Sequence, residues 1–100
     1  MGIVLHVVQQ KTKWLDSPMD LTYPTGKDYI NFLVPAAERR TVRHVERFGQ
    51  AFFNVLHLGT PAIANAIRST PYDPFFNNYV TEETKQRVIE LYDQMINEAA

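Results

Sequence analysis

Hydrophobic residues recur three and four positions apart through the middle of the chain, which is the spacing of an amphipathic α-helix. The stripe comprises Val42, Val45, Phe48, Phe52, Val55 and Leu56. Thr41 immediately precedes the stripe and is an acceptable N-cap, because its hydroxyl can accept a hydrogen bond from a free backbone N–H group. The pattern therefore predicts one helix that begins near Thr41 and ends at about His57.

A second helix is predicted to follow after a very short connection. Gly59 stands where a left-handed residue commonly closes a helix, while Thr60 and Pro61 suit the N-cap and first position of the next one. This second helix should end around Ser69. Its inward residues are Ile63, Ala64 and Ile67. Two helices joined so closely are typical of an αα-hairpin or a helix-turn-helix.

Two more helices are predicted on either side of this pair. Asp28 can cap a short helix over residues 28–34, with Pro35 either ending it or starting the next helix; a strand is the alternative. The last helix should open at Thr81, with Glu82 and Glu83 beside the positive end of its dipole. Its apolar stripe is Val88, Leu91, Tyr92 and Met95.

The segment before the last helix, residues 71–80, combines turn-forming residues with four aromatic ones. A solvated loop would not keep so many aromatic side chains, so we expect this segment to close over the core. Arg68 and Asp73 lie five positions apart around a proline, and we expect them to form an ion pair that anchors the segment.

The beginning of the chain has a different pattern. Residues 3–8 are a short, mostly apolar run that favours a buried strand, and residues 11–27 hold prolines and turn formers typical of an ordered loop. The expected fold is mainly α, a small compact helical domain with three to four helices and room for one short amino-terminal strand. We expect a single domain over residues 1–100, in which 1–27 form a strand-and-loop arm and 28–100 the helical core.

The composition disfavours or excludes several classes of protein. The formal net charge is −1 and the sequence pI is about 6.3, which disfavours nucleic acid as a partner. The absence of cysteine excludes disulfides and thiolate metal sites and fits a reducing, cytoplasmic compartment. No apolar run approaches the ~20 residues of a membrane helix, and residues 2–8 lack the features of a signal peptide.

Residues with catalytic potential do not form a recognisable pattern. His6, His44 and His57 lack the spacing of metal ligands, and Ser17 and Ser69 do not sit in a nucleophile elbow. The four glycines are scattered, so no glycine-rich phosphate loop is expected. We therefore expect no enzyme activity, no cofactor, no metal and no catalytic residue.

The strongest candidate site is polar. Arginines spaced three and four apart would line one face of the predicted helix, and two amides extend that face. The five residues are Arg40, Arg43, Arg47, Gln50 and Asn54. One interpretation is a solvated face whose charge Glu38 and Glu46 relieve. The other is a basic ridge that binds an acidic protein surface or, as a weaker alternative, a phosphate backbone.

A longer pattern adds a resemblance. The stretch 47-RFGQAFFNVLH-57, followed by 64-ANAIRST-70 and 73-DPFF-76, resembles a recurring pattern in small uncharacterised bacterial and phage proteins. The resemblance covers about residues 28 to 93, and this chain has Ser69 where that pattern has glycine and Phe76 where it has tyrosine. It implies a compact helical fold, a phage or prophage origin and no established activity.

These observations favour a non-enzymatic protein that works by binding another protein, as a phage-encoded accessory or anti-defence factor in the cytoplasm of a bacterial host. One alternative is a structural virion component that assembles with its own copies. Another is a helix-turn-helix regulator whose helix from Pro61 presents Asn65 and Arg68 to DNA.

Overall fold

The computed structural model describes residues 21–99, which form four α-helices and no β-strand. The helices are α1 (Gly26–His44), α2 (Phe48–Gly59), α3 (Pro61–Ile67) and α4 (Glu82–Ala99). The prediction of a mainly α fold with three to four helices is confirmed. The predicted strand at residues 3–8 and most of the predicted arm lie outside the described residues.

Helix α1 is longer than predicted at both ends. Thr25, not Asp28, is its N-cap, and the Thr25 hydroxyl accepts a hydrogen bond from the Asp28 backbone N–H at 3.1 Å. Pro35 neither ends this helix nor starts another, but lies within it. Leu33 and Ala37, on either side of Pro35, are completely buried. Their burial in the core stabilises helical backbone through a residue that local propensity disfavours.

The helix predicted from Thr41 to His57 is wrong, because the chain breaks there into α1 and α2. Thr41 lies in the last turn of α1, and Val45 closes that helix in the left-handed conformation, with φ 55°. The break turns the chain so that α2 can pack against α1. Val42 and Val45, which the pattern assigned to the apolar stripe, consequently face solvent and are 82% and 91% exposed.

All four helices contribute to one buried cluster of side chains. Its members include residues of the predicted apolar stripes, namely Phe52, Leu56, Ile63, Ile67, Leu91 and Tyr92, together with Phe53. Helix α1 adds Tyr29, whose ring stacks on that of Tyr92 with 4.4 Å between centroids. The core prediction is therefore confirmed, and Phe52 and Phe53 are both part of it.

The buried tyrosines also carry hydrogen bonds that join distant parts of the chain. The Tyr29 hydroxyl lies 2.9 Å from the Thr60 hydroxyl, which donates to the Leu56 carbonyl at 3.2 Å. Because the Thr60 proton is used in this way, Tyr29 is the donor of their shared bond. The Tyr92 hydroxyl accepts from the Tyr23 backbone N–H at 3.1 Å, which attaches the chain entering α1 to α4.

The connection between α2 and α3 is the single residue Thr60, with Pro61 at the start of α3 as predicted. Gly59 does not adopt the predicted left-handed conformation; it is the last residue of α2. A left-handed residue does occur at Ser69, with φ 61°. Helix α3 ends at Ile67, two residues before Ser69 and close to the predicted end, and the chain continues into the long loop 68–81.

Loop 68–81 covers only part of the core. Pro74 is buried and Phe75 packs against the core, but Phe76 and Tyr79 are 80% and 59% exposed, so the predicted aromatic closure is only half right. The Gly49 N–H donates to the Asn77 carbonyl at 3.0 Å and attaches the loop to α2.

The predicted pair between Arg68 and Asp73 is wrong. The Asp73 carboxylate accepts hydrogen bonds from the backbone N–H groups of Ser69 at 2.8 Å and Phe75 at 3.0 Å. The Arg68 guanidinium lies over the Phe53 ring, 5.1 Å from its centroid. Water can solvate the exposed Arg68 guanidinium, whereas backbone N–H groups inside a tight loop need an acceptor from the protein. The Asp73 carboxylate therefore binds the backbone and not Arg68.

Candidate interaction surface

The five predicted site residues do not share one helix face. Arg40 and Arg43 are in the last two turns of α1, Arg47 is the N-cap of α2, and Gln50 and Asn54 lie inside α2. The turn at residues 45–47 separates the arginines that a continuous helix would have aligned. Each side chain therefore has its own surroundings.

Arg40 and Asn54 are joined through Glu46, in the turn between the helices. Arg40 Nε donates to Glu46 Oε1 at 2.8 Å, and Asn54 Nδ2 donates to Glu46 Oε2 at 3.1 Å. The side chains of Arg40 and Glu46 are only 27% and 15% exposed. This Glu46 network links α1 to α2, so two of the five predicted partner-binding residues support the fold instead of lying free on the surface.

Arg47 and Gln50 lie at the start of α2, and Arg47 approaches loop 68–81. The Arg47 guanidinium is 3.5 Å from the Phe75 carbonyl oxygen, a weak contact, and the Arg47 side chain is exposed. Gln50 is half-buried in the first turn of α2. Arg47 is therefore placed to affect the loop and not the exposed end of α1.

Arg43 remains as an exposed cation, and Arg39 accompanies it one turn earlier on α1. Two clefts meet at these arginines. The first has a volume of about 630 Å³ and is lined by Pro35, Glu38, Arg39, Val42 and Arg43. The second has a volume of about 210 Å³ and is lined by Ala36, Arg39, Arg40, Arg43, His44 and Val55. No described ion pair includes Arg39 or Arg43.

Two valines complete this region, which we define as the corner surface: Arg39, Val42, Arg43 and Val45. Val45 combines 91% exposure with a left-handed backbone, which costs a β-branched residue energy because its Cβ crowds the carbonyl oxygen. Sequence reasoning missed the valines because left-handed caps are normally signalled by glycine or asparagine. Arg39 was not part of the predicted basic ridge.

The histidines of the described chain do not form part of a metal-binding cluster. His44 and His57 lie on different helices, and residues 21–99 bring together no group of three side chains able to hold a metal ion. None of the helices in this part of the chain has the length and apolar character needed to cross a bilayer.

Comparison with protein-family models, curated proteins and solved structures found no match for this chain. The resemblance to small bacterial and phage proteins therefore stays a prediction.

Proposed function

We propose that this protein binds an acidic surface of another protein through the corner surface. The observation that carries the proposal is Val45, an almost fully exposed valine held in a strained backbone conformation between arginine-bearing turns. Backbone strain persists only where the surrounding structure imposes it, and it occurs disproportionately at binding sites.

The charges of the corner surface select the kind of partner. Arg39 and Arg43 contribute two positive charges, against one negative charge from Glu38 in the larger cleft. Guanidinium groups bind carboxylates through two parallel hydrogen bonds, and arginine is enriched at protein interfaces. An acidic protein surface therefore complements the corner better than a neutral or basic one.

The valines supply the apolar part of such an interface. Interfaces combine a desolvated apolar centre with polar groups at the rim. Val42 lines the larger cleft together with the two arginines, and Val45 follows as the exposed cap of the same helix. The Glu46 network fixes the turn that carries Val45, because it joins Arg40 of α1 to Asn54 of α2. A surface that is rigid before binding loses less entropy when its partner arrives.

The finer prediction, a phage-encoded accessory or anti-defence factor acting on a host protein, rests on the resemblance and is part of this proposal. DNA reading by α3 has less support, because that helix has seven residues and buries Ile63, Ala64 and Ile67. Only Asn65 and Ala66 of α3 are exposed, whereas base readout normally uses several polar side chains.

The proposal is tested by quantitative affinity capture from a bacterial lysate with three forms of the protein. The first is the wild type, and the second is the double variant Arg39→Glu/Arg43→Glu. The third, Lys85→Glu/Arg87→Glu, makes the same change of charge on α4, where Lys85 pairs with Glu82 and Arg87 with Glu90. We expect at least one protein to be retained by the wild type and the α4 variant but lost, by tenfold or more, with the corner variant.

Thermal melting of all three proteins separates binding from folding. Arg39 and Arg43 are exposed and form no ion pair within residues 21–99, so their reversal should change stability by less than ~1 kcal/mol. Equal retention of every captured protein by the two charge variants would overturn the proposal. A mass measurement at micromolar concentration tests the self-assembly alternative, which requires a species larger than the monomer.

A further inference from the structure

A third cleft lies between α2, the end of α3 and loop 68–81, and shares no residue with the clefts at the corner surface. Its volume is about 210 Å³, enough for one large side chain but too small for a typical cofactor. The lining residues are Phe53, Arg68, Ser69, Asp73, Phe75 and Phe76. We call it the aromatic cleft.

Three phenylalanine rings form its apolar walls. Phe53 and Phe75 meet edge to face, with centroids 5.7 Å apart and planes at 87°. Phe75 and Phe76 meet at 5.1 Å and 73°. Phe53 is buried and fixed, whereas Phe76 is 80% exposed and projects into solvent. An exposed aromatic ring beside two packed ones can contact a further ring in the same edge-to-face geometry.

A cation lies at the edge of these rings. The Arg68 guanidinium stacks over Phe53 and gives one described hydrogen bond, to the Asn65 side chain at 3.3 Å. Because a guanidinium has five N–H donors, most of its donors face solvent. Arg47 adds a second positive charge near the cleft, through its approach to the Phe75 carbonyl.

Asp73 is the negative group of the cleft, and its charge is directed into the loop. Its two carboxylate oxygens accept from the Ser69 and Phe75 backbone N–H groups. Arg68 and Asp73 line the cleft with opposite charges, and Arg47 adds a second positive charge nearby. These three side chains together carry a net charge of +1. An anionic ligand is therefore favoured over a cationic one.

We propose that the aromatic cleft binds a peptide segment of a protein partner in which an aromatic side chain stands next to a carboxylate. The ring enters between Phe53, Phe75 and Phe76, and the carboxylate accepts hydrogen bonds from Arg68. Such a ligand uses both features of the cleft at once, whereas a simple anion or a simple hydrocarbon uses one. This site does not depend on the corner surface, so either proposal can hold without the other.

Small probes test this chemistry directly. The ¹⁵N-labelled protein is titrated with 3-phenylpropionate, with its uncharged amide 3-phenylpropanamide, and with butyrate, which has a carboxylate but no ring. Chemical shifts of the Ser69 and Phe76 backbone amides and of the Arg68 side-chain N–H report on the cleft. For a probe of this size we expect 3-phenylpropionate to bind with a dissociation constant on the order of 1–10 mM. The amide and butyrate should each bind at least about fivefold more weakly.

Two variants test separately the contributions of the Arg68 cation and the Phe76 ring to probe binding. Arg68→Gln removes the cation and should abolish the preference for the acid over the amide, while Phe76→Ala should weaken both aromatic probes. Both side chains are exposed, so the spectrum of each variant should otherwise match the wild type. Equal affinity of acid and amide, or shifts confined to residues 36–45, would overturn the proposal. The variant Arg39→Glu/Arg43→Glu should bind the probes normally, which separates this test from that of the corner surface.

Discussion

Gly49 offers the sharpest test of how loop 68–81 is held. It lies in the first turn of α2, and its backbone N–H donates to the Asn77 carbonyl at 3.0 Å. A Cβ atom built on Gly49 would lie 2.5 Å from the Asn77 carbonyl oxygen and also against the Pro74 carbonyl oxygen. Both are backbone atoms, which cannot rotate away as a side chain would. Gly49→Ala should therefore push the loop off α2.

The size of the effect follows from what the displaced loop loses. The hydrogen bond between Gly49 and Asn77 contributes about 1 kcal/mol. Partial exposure of Pro74 and Phe75, which pack against the core, adds about 1–2 kcal/mol. Alanine returns less than about 1 kcal/mol through its higher helix propensity, because the position is in the first turn. The net loss in the free energy of unfolding should be about 2 kcal/mol.

Urea unfolding measures this loss. For a domain of this size the slope is about 1–1.5 kcal/mol per molar urea, so the midpoint should fall by roughly 1.5–2 M. The matched control is Gly59→Ala, because Gly59 ends the same helix without a positive φ. That change should alter stability by less than about 0.5 kcal/mol. A Gly49→Ala midpoint within about 0.3 M of the wild type would show that the loop does not approach α2 as described.

Three further predictions concern single side chains. Val45→Gly should raise the free energy of unfolding by about 0.5–1 kcal/mol in thermal melts, since glycine adopts a positive φ without strain; a loss of stability would contradict the strained cap. Glu46→Gln should cost about 1–2 kcal/mol, because Arg40 then loses a charge-assisted hydrogen bond, and a change below about 0.3 kcal/mol would mean that the pair is solvated. In a double-mutant cycle, Asp73→Ala and Arg68→Ala should be additive within about 0.3 kcal/mol, and a larger coupling would indicate the ion pair that the structure lacks.

Sequence patterns predicted the buried side of the molecule well. The spacing of Phe52, Leu56, Ile63 and Ile67 identified inward faces correctly, because burial of apolar side chains is the strongest constraint on such helices. The start of α4 was also predictable, since Thr81 accepts from the Thr84 N–H as an N-cap should. These features depend on residues within one or two turns of each other.

The end of α1 could not be predicted in the same way. The apolar spacing continues from Val42 through Val45 to Phe48, and no glycine or proline marks the turn. The turn forms because α2 packs back on α1, and because Glu46 bonds to Arg40, six positions before it, and Asn54, eight positions after it. A continuous helix would not bring these three side chains together, so the deciding interaction was tertiary. The predicted arginine face failed for this reason.

The positions of the Glu46 and Asp73 carboxylates explain how a chain with a net charge of −1 presents basic surfaces. Glu46 binds Arg40 and Asn54, and Asp73 binds two backbone N–H groups, so both acids are used inside the fold. Two arginines near them in sequence, Arg43 and Arg68, are left on the surface without an acidic partner in the described ion pairs. Glu46 holds the turn that follows Arg43, and Asp73 holds the loop that begins at Arg68. Each candidate surface thus combines a fixed backbone with exposed guanidinium groups beside apolar side chains, and a carboxylate next to an apolar group is the ligand that such an arrangement complements.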